Sequence, residues 1–217
     1  MDGRRKVLFF DNDGVLAHTE ELFFETNRKV FGEMGIPYTR HEFENHTFVN
    51  SLGTAGYMRG LGYGDTKIKE FKKRRDEFWQ TEITKRNVVE PTAEKVLSSL
   101  KPNYRIGIVT NTNRGNFNKT YHSSTIPTLV EFVIYREDYD HGKPEPDAYL
   151  KALEVAAVSP DEAIVIEDSP RGIMAAKTAG LSVIALANPV IPNLDTSQAD
   201  YHLKNIAGLP DLLETIG

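Results

Sequence analysis

The feature that most constrains the fold is a short apolar run that ends abruptly in two acids and a glycine. The run covers residues 7–10, and Asp11-Asn12-Asp13-Gly14 follows it directly. Four consecutive apolar residues are too few for a helix but fit a buried strand of a parallel sheet, and Gly14 favours a turn at its end. We therefore expect the acids at the carboxyl end of a strand, where open α/β sheets bind their ligands.

The two acids predict a cation site. On an ideal strand Asp11 and Asp13 would point apart, but the turn toward Gly14 lets them converge. Carboxylates held close together repel, which raises the pKa of one of them unless a cation lies between them, and hard oxygen ligands suit Mg²⁺. An acidic surface turn is the alternative for this stretch.

Composition limits the class of protein and its partners. The 217 residues carry a net charge of -5, which argues against a general affinity for nucleic acid or for an anionic membrane. The chain has no cysteine, so disulfides, thiolate zinc sites and a cysteine nucleophile are excluded. The first apolar run is too short for a signal peptide, and no stretch is long enough to span a bilayer, so we expect a cytoplasmic protein.

The order of helical and apolar segments predicts an α/β fold in two domains. After residue 16 the sequence becomes a block of helix-like segments without a convincing strand, and from residue 87 strands and helices alternate regularly. Such alternation is typical of a Rossmann-like parallel sheet with helices on both faces. We therefore predict a core domain over residues 1–16 and 87–217, and an inserted small helical domain over residues 17–86.

Another predicted strand, over residues 105–109, also ends in polar groups. Thr110 and Asn111 follow it and offer a hydroxyl and an amide that could bind phosphate oxygens. The alternative is an ordinary turn from strand to helix in which asparagine side chains cap the helix.

A lysine loop and a second acidic strand end come later in the chain. Lys143 lies between Gly142 and Pro144, and its compact cation is suited to neutralising a phosphoryl group, although a solvated lysine is the alternative. Glu167 and Asp168 end another apolar run. Two acidic strand ends in one sheet imply a shared metal, since uncompensated carboxylates there would be costly.

The four motifs together are far more specific than any one of them. Asp-x-Asp-Gly, Thr-Asn, Gly-Lys-Pro and Glu-Asp-Ser occur in that order along the chain. In this arrangement the chain resembles the haloacid dehalogenase superfamily, in the branch that has a helical cap inserted just after the first motif. The resemblance covers essentially the whole chain and is weakest across the cap.

The resemblance implies a role for each motif residue. Asp11 would be the nucleophile that becomes a phosphoaspartate, and Asp13 the general acid and then the general base. Mg²⁺ would be bound by Asp11, the backbone carbonyl of Asp13 and Asp168. Thr110, Asn111 and Lys143 would form the phosphate-binding group, with Asn111 also ordering its loop.

The resemblance also narrows the reaction. True haloacid dehalogenases lack an acid at the position of Asp13, so phosphoryl chemistry is favoured. β-Phosphoglucomutases carry a cap histidine at the position of Phe23, which favours a Mg²⁺-dependent phosphatase acting on a small phosphorylated metabolite, with a sugar phosphate as one candidate. A β-phosphoglucomutase-like mutase and a non-catalytic metabolite-binding protein stay open as alternatives, and a monomer is the default expectation.

Overall fold

The computed structural model of the chain describes residues 6–50, 52–191 and 193–216. The chain divides into two compact units, one formed by Met1–His18 with Val89–Gly217 and the other by Thr19–Val88. Residues 1–5, 192 and 217 of the predicted core domain and residue 51 of the predicted insertion lie outside the described residues.

The first unit contains a parallel sheet of six strands in the order β3-β2-β1-β4-β5-β6. Every neighbouring pair in this order is parallel, and helices lie in each connection from β1 through to β5. The predicted α/β class with a Rossmann-like parallel sheet is therefore confirmed. The strands are β1 Val7–Phe10, β2 Arg105–Val109, β3 Phe132–Ile134, β4 Ala163–Glu167, β5 Ser182–Leu186 and β6 Tyr201–Leu203.

All four residues of strand β1 have apolar side chains, and all four are buried. Such a strand is stable only in the middle of a sheet that is covered on both faces, which is where β1 lies. Val7 and Phe9 pack with a cluster supplied by two helices that cover one face, α8 Asp147–Ala156 and α9 Pro170–Thr178. Leu8 alternates with them and is also fully buried, so the opposite face is covered as well. The other helices of this unit are α5 Ala93–Leu100, α6 Arg114–Thr120, α7 Ile126–Leu129 and α10 Leu209–Ile216.

The second unit is helical, and none of its described residues forms a strand. Its long helix α4 packs against α1, and Trp79 and Ile83 of α4 are buried together with Leu22 of α1. The apolar stripes that the two helices present to each other account for this packing. The helices are α1 Glu20–Glu33, α2 Arg40–Glu44, a π-helix over Asn45–Val49, α3 Gly53–Gly60 and α4 Asp65–Ile83.

A buried histidine lies in an aromatic cluster of the helical unit. His46 stacks on Tyr57 with ring centroids 4.6 Å apart, and its Nε2 lies 2.5 Å from the hydroxyl of Tyr38. Burial lowers the pKa of His46 to about 4, and the Glu42 carboxylate opposes this shift only in part. His46 is therefore neutral at physiological pH.

Within the described part of the chain, no helix is both long enough and apolar enough to cross a membrane.

Candidate active site

The register of the central strands brings the first acidic motif beside the second. Phe10 of β1 pairs with Ile166 of β4 and, on its other side, with Ile108 of β2. The chain stays in register one residue further, since the amide of Asp11 donates to the carbonyl of Ile166 at 2.9 Å. The carboxyl ends of β1, β2 and β4 therefore lie side by side at one edge of the sheet. Strands β2 and β3 lie on one side of β1 and strands β4 to β6 on the other, and open α/β sheets bind ligands at such a reversal of strand order.

Lys143 occupies the middle of this edge. Its Nζ donates to Asp11 Oδ1 at 2.6 Å, to Glu167 Oε1 at 2.8 Å and to the carbonyl of Val109 at 2.9 Å. Burial disfavours the ammonium, but the Asp11 and Glu167 carboxylates outweigh that effect and raise the pKa of Lys143 well above its ordinary value. The lysine is a buried, fully paired cation rather than a solvated side chain.

Glu167 is held by protein donors on both oxygens. Its Oε1 also accepts from the hydroxyl of Tyr149 at 3.0 Å, while Oε2 accepts from the amides of Asp168 and Ser169 at 3.0 and 3.2 Å. Gly172 makes room for this carboxylate, because a Cβ there would lie 1.7 Å from Oε1. These contacts make Glu167 the partner of Lys143 and favour the other two acids as ligands of a metal.

The acids of this edge suit a divalent cation. Carboxylate oxygens of Asp11, Glu167 and Asp168 lie within 4.8 Å of one another, and all three residues are buried. Lys143 balances only one of these charges, which leaves an excess of negative charge that is costly away from water. The residues therefore fit Mg²⁺, which prefers oxygen ligands and binds through few carboxylates.

The charge of Asp11 depends on what neutralises it. Burial raises the pKa of its carboxyl to about 8 against the opposing Lys143 ammonium, and the Glu167 and Asp13 carboxylates raise it further. A cation bound at this edge would favour the ionised form of Asp11, which is the form that can act as a nucleophile.

Asp13 lies against two threonines that follow β2. The hydroxyl of Thr112 donates to Asp13 Oδ2 at 2.7 Å, and that of Thr110 lies 3.5 Å from the same oxygen. Thr110 is fully buried, and its Oγ1 accepts from the amide of Thr112 at 3.0 Å. The second acid of the first motif is thus held toward the end of β2.

Asn111 connects the end of β2 to the lysine loop. Its Oδ1 accepts from the amide of Lys143 at 3.1 Å and lies 2.7 Å from the hydroxyl of Tyr139. Gly142 permits this approach, because a Cβ there would lie 3.2 Å from the same oxygen. Asparagine capping also occurs nearby, since Asn113 accepts from the amide of Asn116 at 2.8 Å at the start of α6.

Asn12, between the two acids, is fixed on both its backbone and its side chain. Its carbonyl accepts from the amides of Leu16 and Ala17 at 2.9 and 3.0 Å, which closes the turn around Gly14. Its Oδ1 accepts from the buried hydroxyl of Tyr121 at 2.7 Å. This asparagine therefore ties the loop of the acids to the end of α6.

The structure brings all six predicted site residues to this one edge, although their chemical roles stay predictions. Sequence reasoning missed Thr112, Tyr139, Tyr149 and Asn188. The amide of Asn188 donates to Asp168 Oδ2 at 2.5 Å. One signal could have indicated it: Asn188 follows an apolar strand closely, as every predicted residue except Lys143 does. The tyrosines carry no such signal, because they contact the site from a loop and a helix face.

Comparisons with known proteins agree with this geometry. The family described as haloacid dehalogenase-like hydrolase matches residues 8–186. A phosphorylated carbohydrates phosphatase from Thermotoga maritima is 30% identical over 82% of this chain and 83% of its own.

Two solved structures show a similar fold. CbbY from Rhodobacter sphaeroides, in complex with phosphate, has a TM-score of 0.83 at 23% identity and covers 95% of this chain and 96% of its own. β-Phosphoglucomutase from Clostridium difficile has a TM-score of 0.80 at 20% identity and covers 97% of this chain and 96% of its own.

Proposed function

Because the chain belongs to the haloacid dehalogenase-like hydrolase family, we propose that it is a Mg²⁺-dependent phosphatase of a small phosphorylated metabolite. Membership confirms the family that the four motifs predict, and the phosphatase among the relatives supports the predicted enzyme class, a phosphoric monoester hydrolase. The observation that carries the proposal is the buried contact of Lys143 with Asp11, in a cluster whose carboxylates outnumber its cation.

In the proposed first step, a carboxylate oxygen of Asp11 attacks the phosphorus atom of the substrate. The bond from phosphorus to the ester oxygen breaks, Asp13 protonates the departing oxygen, and a phosphoaspartate forms on Asp11. Bound Mg²⁺, held by Asp11, Asp168 and the backbone carbonyl of Asp13, would neutralise negative charge on the phosphoryl group.

Lys143, Thr110 and Asn111 are proposed to position the phosphoryl group. Lys143 lies beside the nucleophile and can neutralise charge that develops on the phosphoryl oxygens. The hydroxyl of Thr110 lies at the same edge, and Asn111 fixes the backbone of the lysine loop. Phosphoryl transfer needs mainly positioning and charge neutralisation, and this group can supply both.

In the proposed second step, Asp13 acts as a base. It takes a proton from a water molecule, the water oxygen attacks phosphorus, and the bond from phosphorus to Asp11 breaks. Inorganic phosphate leaves, and Asp11 returns to its starting state. The hydrogen bond from Thr112 holds Asp13 in one place for both proton transfers.

We propose phosphorylated carbohydrates as the substrate class, because the relative from Thermotoga maritima is named as a phosphatase of such compounds. The inserted helical unit, residues 19–88, is proposed to select the substrate. We also propose that the enzyme acts as a monomer in the cytoplasm, without nucleic acid or membrane partners.

A sugar phosphomutase is the second candidate, since a β-phosphoglucomutase is among the similar folds. Phe23, which stands where those enzymes carry a histidine, packs against the apolar cluster of Leu22, Trp79 and Ile83. An apolar side chain in such surroundings offers no proton donor or acceptor, which favours hydrolysis.

The test is phosphate release from a panel of sugar phosphates, with and without Mg²⁺, beside an assay for isomerised hexose phosphate. We expect metal-dependent phosphate release that Asp11→Asn abolishes and that Asp211→Asn, at an exposed position, retains. Isomerisation without net release would indicate the mutase. Tight binding of sugar phosphates without either reaction would indicate a metabolite-binding protein.

A further inference from the structure

Asn188 lies in the connection that follows β5 and is almost fully buried, with 4% of its surface exposed. Its Nδ2 donates to Asp168 Oδ2 at 2.5 Å. Strands β4 and β5 are parallel neighbours, and Glu167 pairs with Ala185. The chain beyond β5 therefore passes directly beside the acid that follows β4.

The other end of the Asn188 side chain fixes the direction of its amide. Its Oδ1 accepts from the backbone amides of Val190 and Ile191 at 2.8 and 3.0 Å, in a turn that asparagine commonly forms. Because only the oxygen can accept these bonds, the NH₂ group must face Asp168. A rotation of the amide by half a turn would break all three contacts.

A neutral donor has a particular effect on a carboxylate at a metal site. It fixes the rotamer of the side chain without cancelling its charge, whereas a lysine or arginine would compete with the metal. Hydrogen-bond partners of this kind orient metal ligands, and their loss typically weakens metal binding by about 10- to 100-fold.

We infer that Asn188 is a positioning residue that holds Asp168 in the orientation for binding Mg²⁺ and so sets the metal affinity of this enzyme. The inference rests on the proposed function, which makes Asp168 a metal ligand. Asn188 donates to Oδ2 of Asp168, and this contact restricts the orientation of the whole carboxylate.

The test measures Mg²⁺ binding to the full, chelator-treated chain by calorimetry, together with thermal unfolding in the absence of metal. Asn188→Ala removes both the donor to Asp168 and the turn. Asn188→Ser keeps a hydroxyl that can accept from the Val190 amide but is too short to reach Asp168. Asn193→Ala, at an exposed position of the same connection, is the matched control.

We expect both Asn188 variants to raise the dissociation constant for Mg²⁺ by at least about tenfold, and the control to match the wild type. Asn188→Ser should unfold at a temperature closer to the wild type than Asn188→Ala does, which separates the metal effect from the turn. A dissociation constant for Asn188→Ser within about twofold of the wild type would overturn the inference while leaving the proposed function intact. If the wild-type chain itself binds no Mg²⁺, both the proposed metal site and the proposed role of Asn188 are contradicted.

Discussion

The Nζ of Lys143 lies 2.6 Å from Oδ1 of Asp11, at the buried carboxyl end of the central strand. Lys143→Met would leave the carboxylates of Asp11 and Glu167 without their cation, and breaking a buried ion pair in this way costs about 3–5 kcal/mol. We expect the free energy of unfolding to fall by that amount and phosphatase activity to be lost. Denaturant unfolding and a phosphate-release assay measure the two effects.

Lys151→Met is the control for that substitution, because Lys151 forms an exposed pair with Glu154 on α8. Exposed ion pairs contribute little to stability, so Lys151→Met should keep nearly the wild-type free energy of unfolding. Because Lys151 lies outside the proposed site, the variant should also retain activity. Equal losses in the two variants would contradict the role given to Lys143.

The hydrogen bond from Thr112 to Asp13 predicts a dependence on the leaving group. Thr112→Val removes a hydrogen bond to a carboxylate, which is worth about 1.5–3 kcal/mol. The kcat/KM of alkyl phosphates, whose leaving oxygen needs a proton, should fall about tenfold or more, while that of p-nitrophenyl phosphate, whose leaving group needs none, should change little. Because kcat/KM covers only the steps up to departure of the leaving group, it excludes the later proton transfer from water to Asp13.

Kinetics on the two substrates measure this difference, with the exposed Thr215→Val as the control. An equal loss of kcat/KM on both substrates would mean that Thr112 does not act through the proton that Asp13 gives to the leaving group.

Asn12 and Tyr121 form a pair that a double-mutant cycle can isolate. Tyr121→Phe leaves the buried Oδ1 of Asn12 without its donor, and we expect a loss of about 1–3 kcal/mol in stability. Adding Asn12→Leu removes the acceptor that Tyr121→Phe leaves without a donor. The double variant should therefore lose less stability than the sum of the losses of the two single variants. Additive losses in denaturant unfolding would show that the pair is not coupled.

Because His46 is buried in its neutral form, we expect the helical unit to lose stability in acid. Burial lowers the pKa of His46 to about 4 from an ordinary 6.5, so the unfolded chain binds a proton more readily between these values. The neutral histidine therefore contributes fully to the free energy of unfolding above about pH 6.5. This contribution, at most about 3 kcal/mol, is lost as the pH falls toward about 4.

Fluorescence of Trp79, the only tryptophan of the chain and buried in the same unit, reports this unfolding. His46→Gln should flatten the pH dependence over that range, and the exposed His202→Gln should leave it unchanged. A wild-type curve that is already flat from pH 4 to pH 6.5 would contradict the burial of a neutral histidine.

Local sequence pattern was sufficient to predict the central strand and the residues that meet at its end. The apolar run before Asp11 and the one before Glu167 each mark a buried strand, and parallel strands place their carboxyl ends together. The regular alternation beyond residue 87 likewise predicted the parallel sheet that the structure contains.

The contacts that support those residues depend on tertiary packing instead. Asn12 meets Tyr121 across 109 positions of sequence, and the residue type at either position does not indicate the other. Asn188 approaches Asp168 because β5 lies beside β4, an order of strands that no local pattern specifies.

The central claim is that Asp11 carries the phosphoryl group during turnover. The most direct measurement is mass spectrometry of the chain after a reaction with p-nitrophenyl phosphate and Mg²⁺ is quenched in acid, using Asp13→Asn to slow the second step. The p-nitrophenolate leaving group needs no proton from residue 13, so the variant can still complete the first step. We expect the mass of one phosphoryl group on the peptide that contains Asp11, at higher occupancy in Asp13→Asn than in the wild type, and no such mass in Asp11→Asn. Phosphate release by a wild-type chain that is never labelled on Asp11, or a label on another residue, would contradict it.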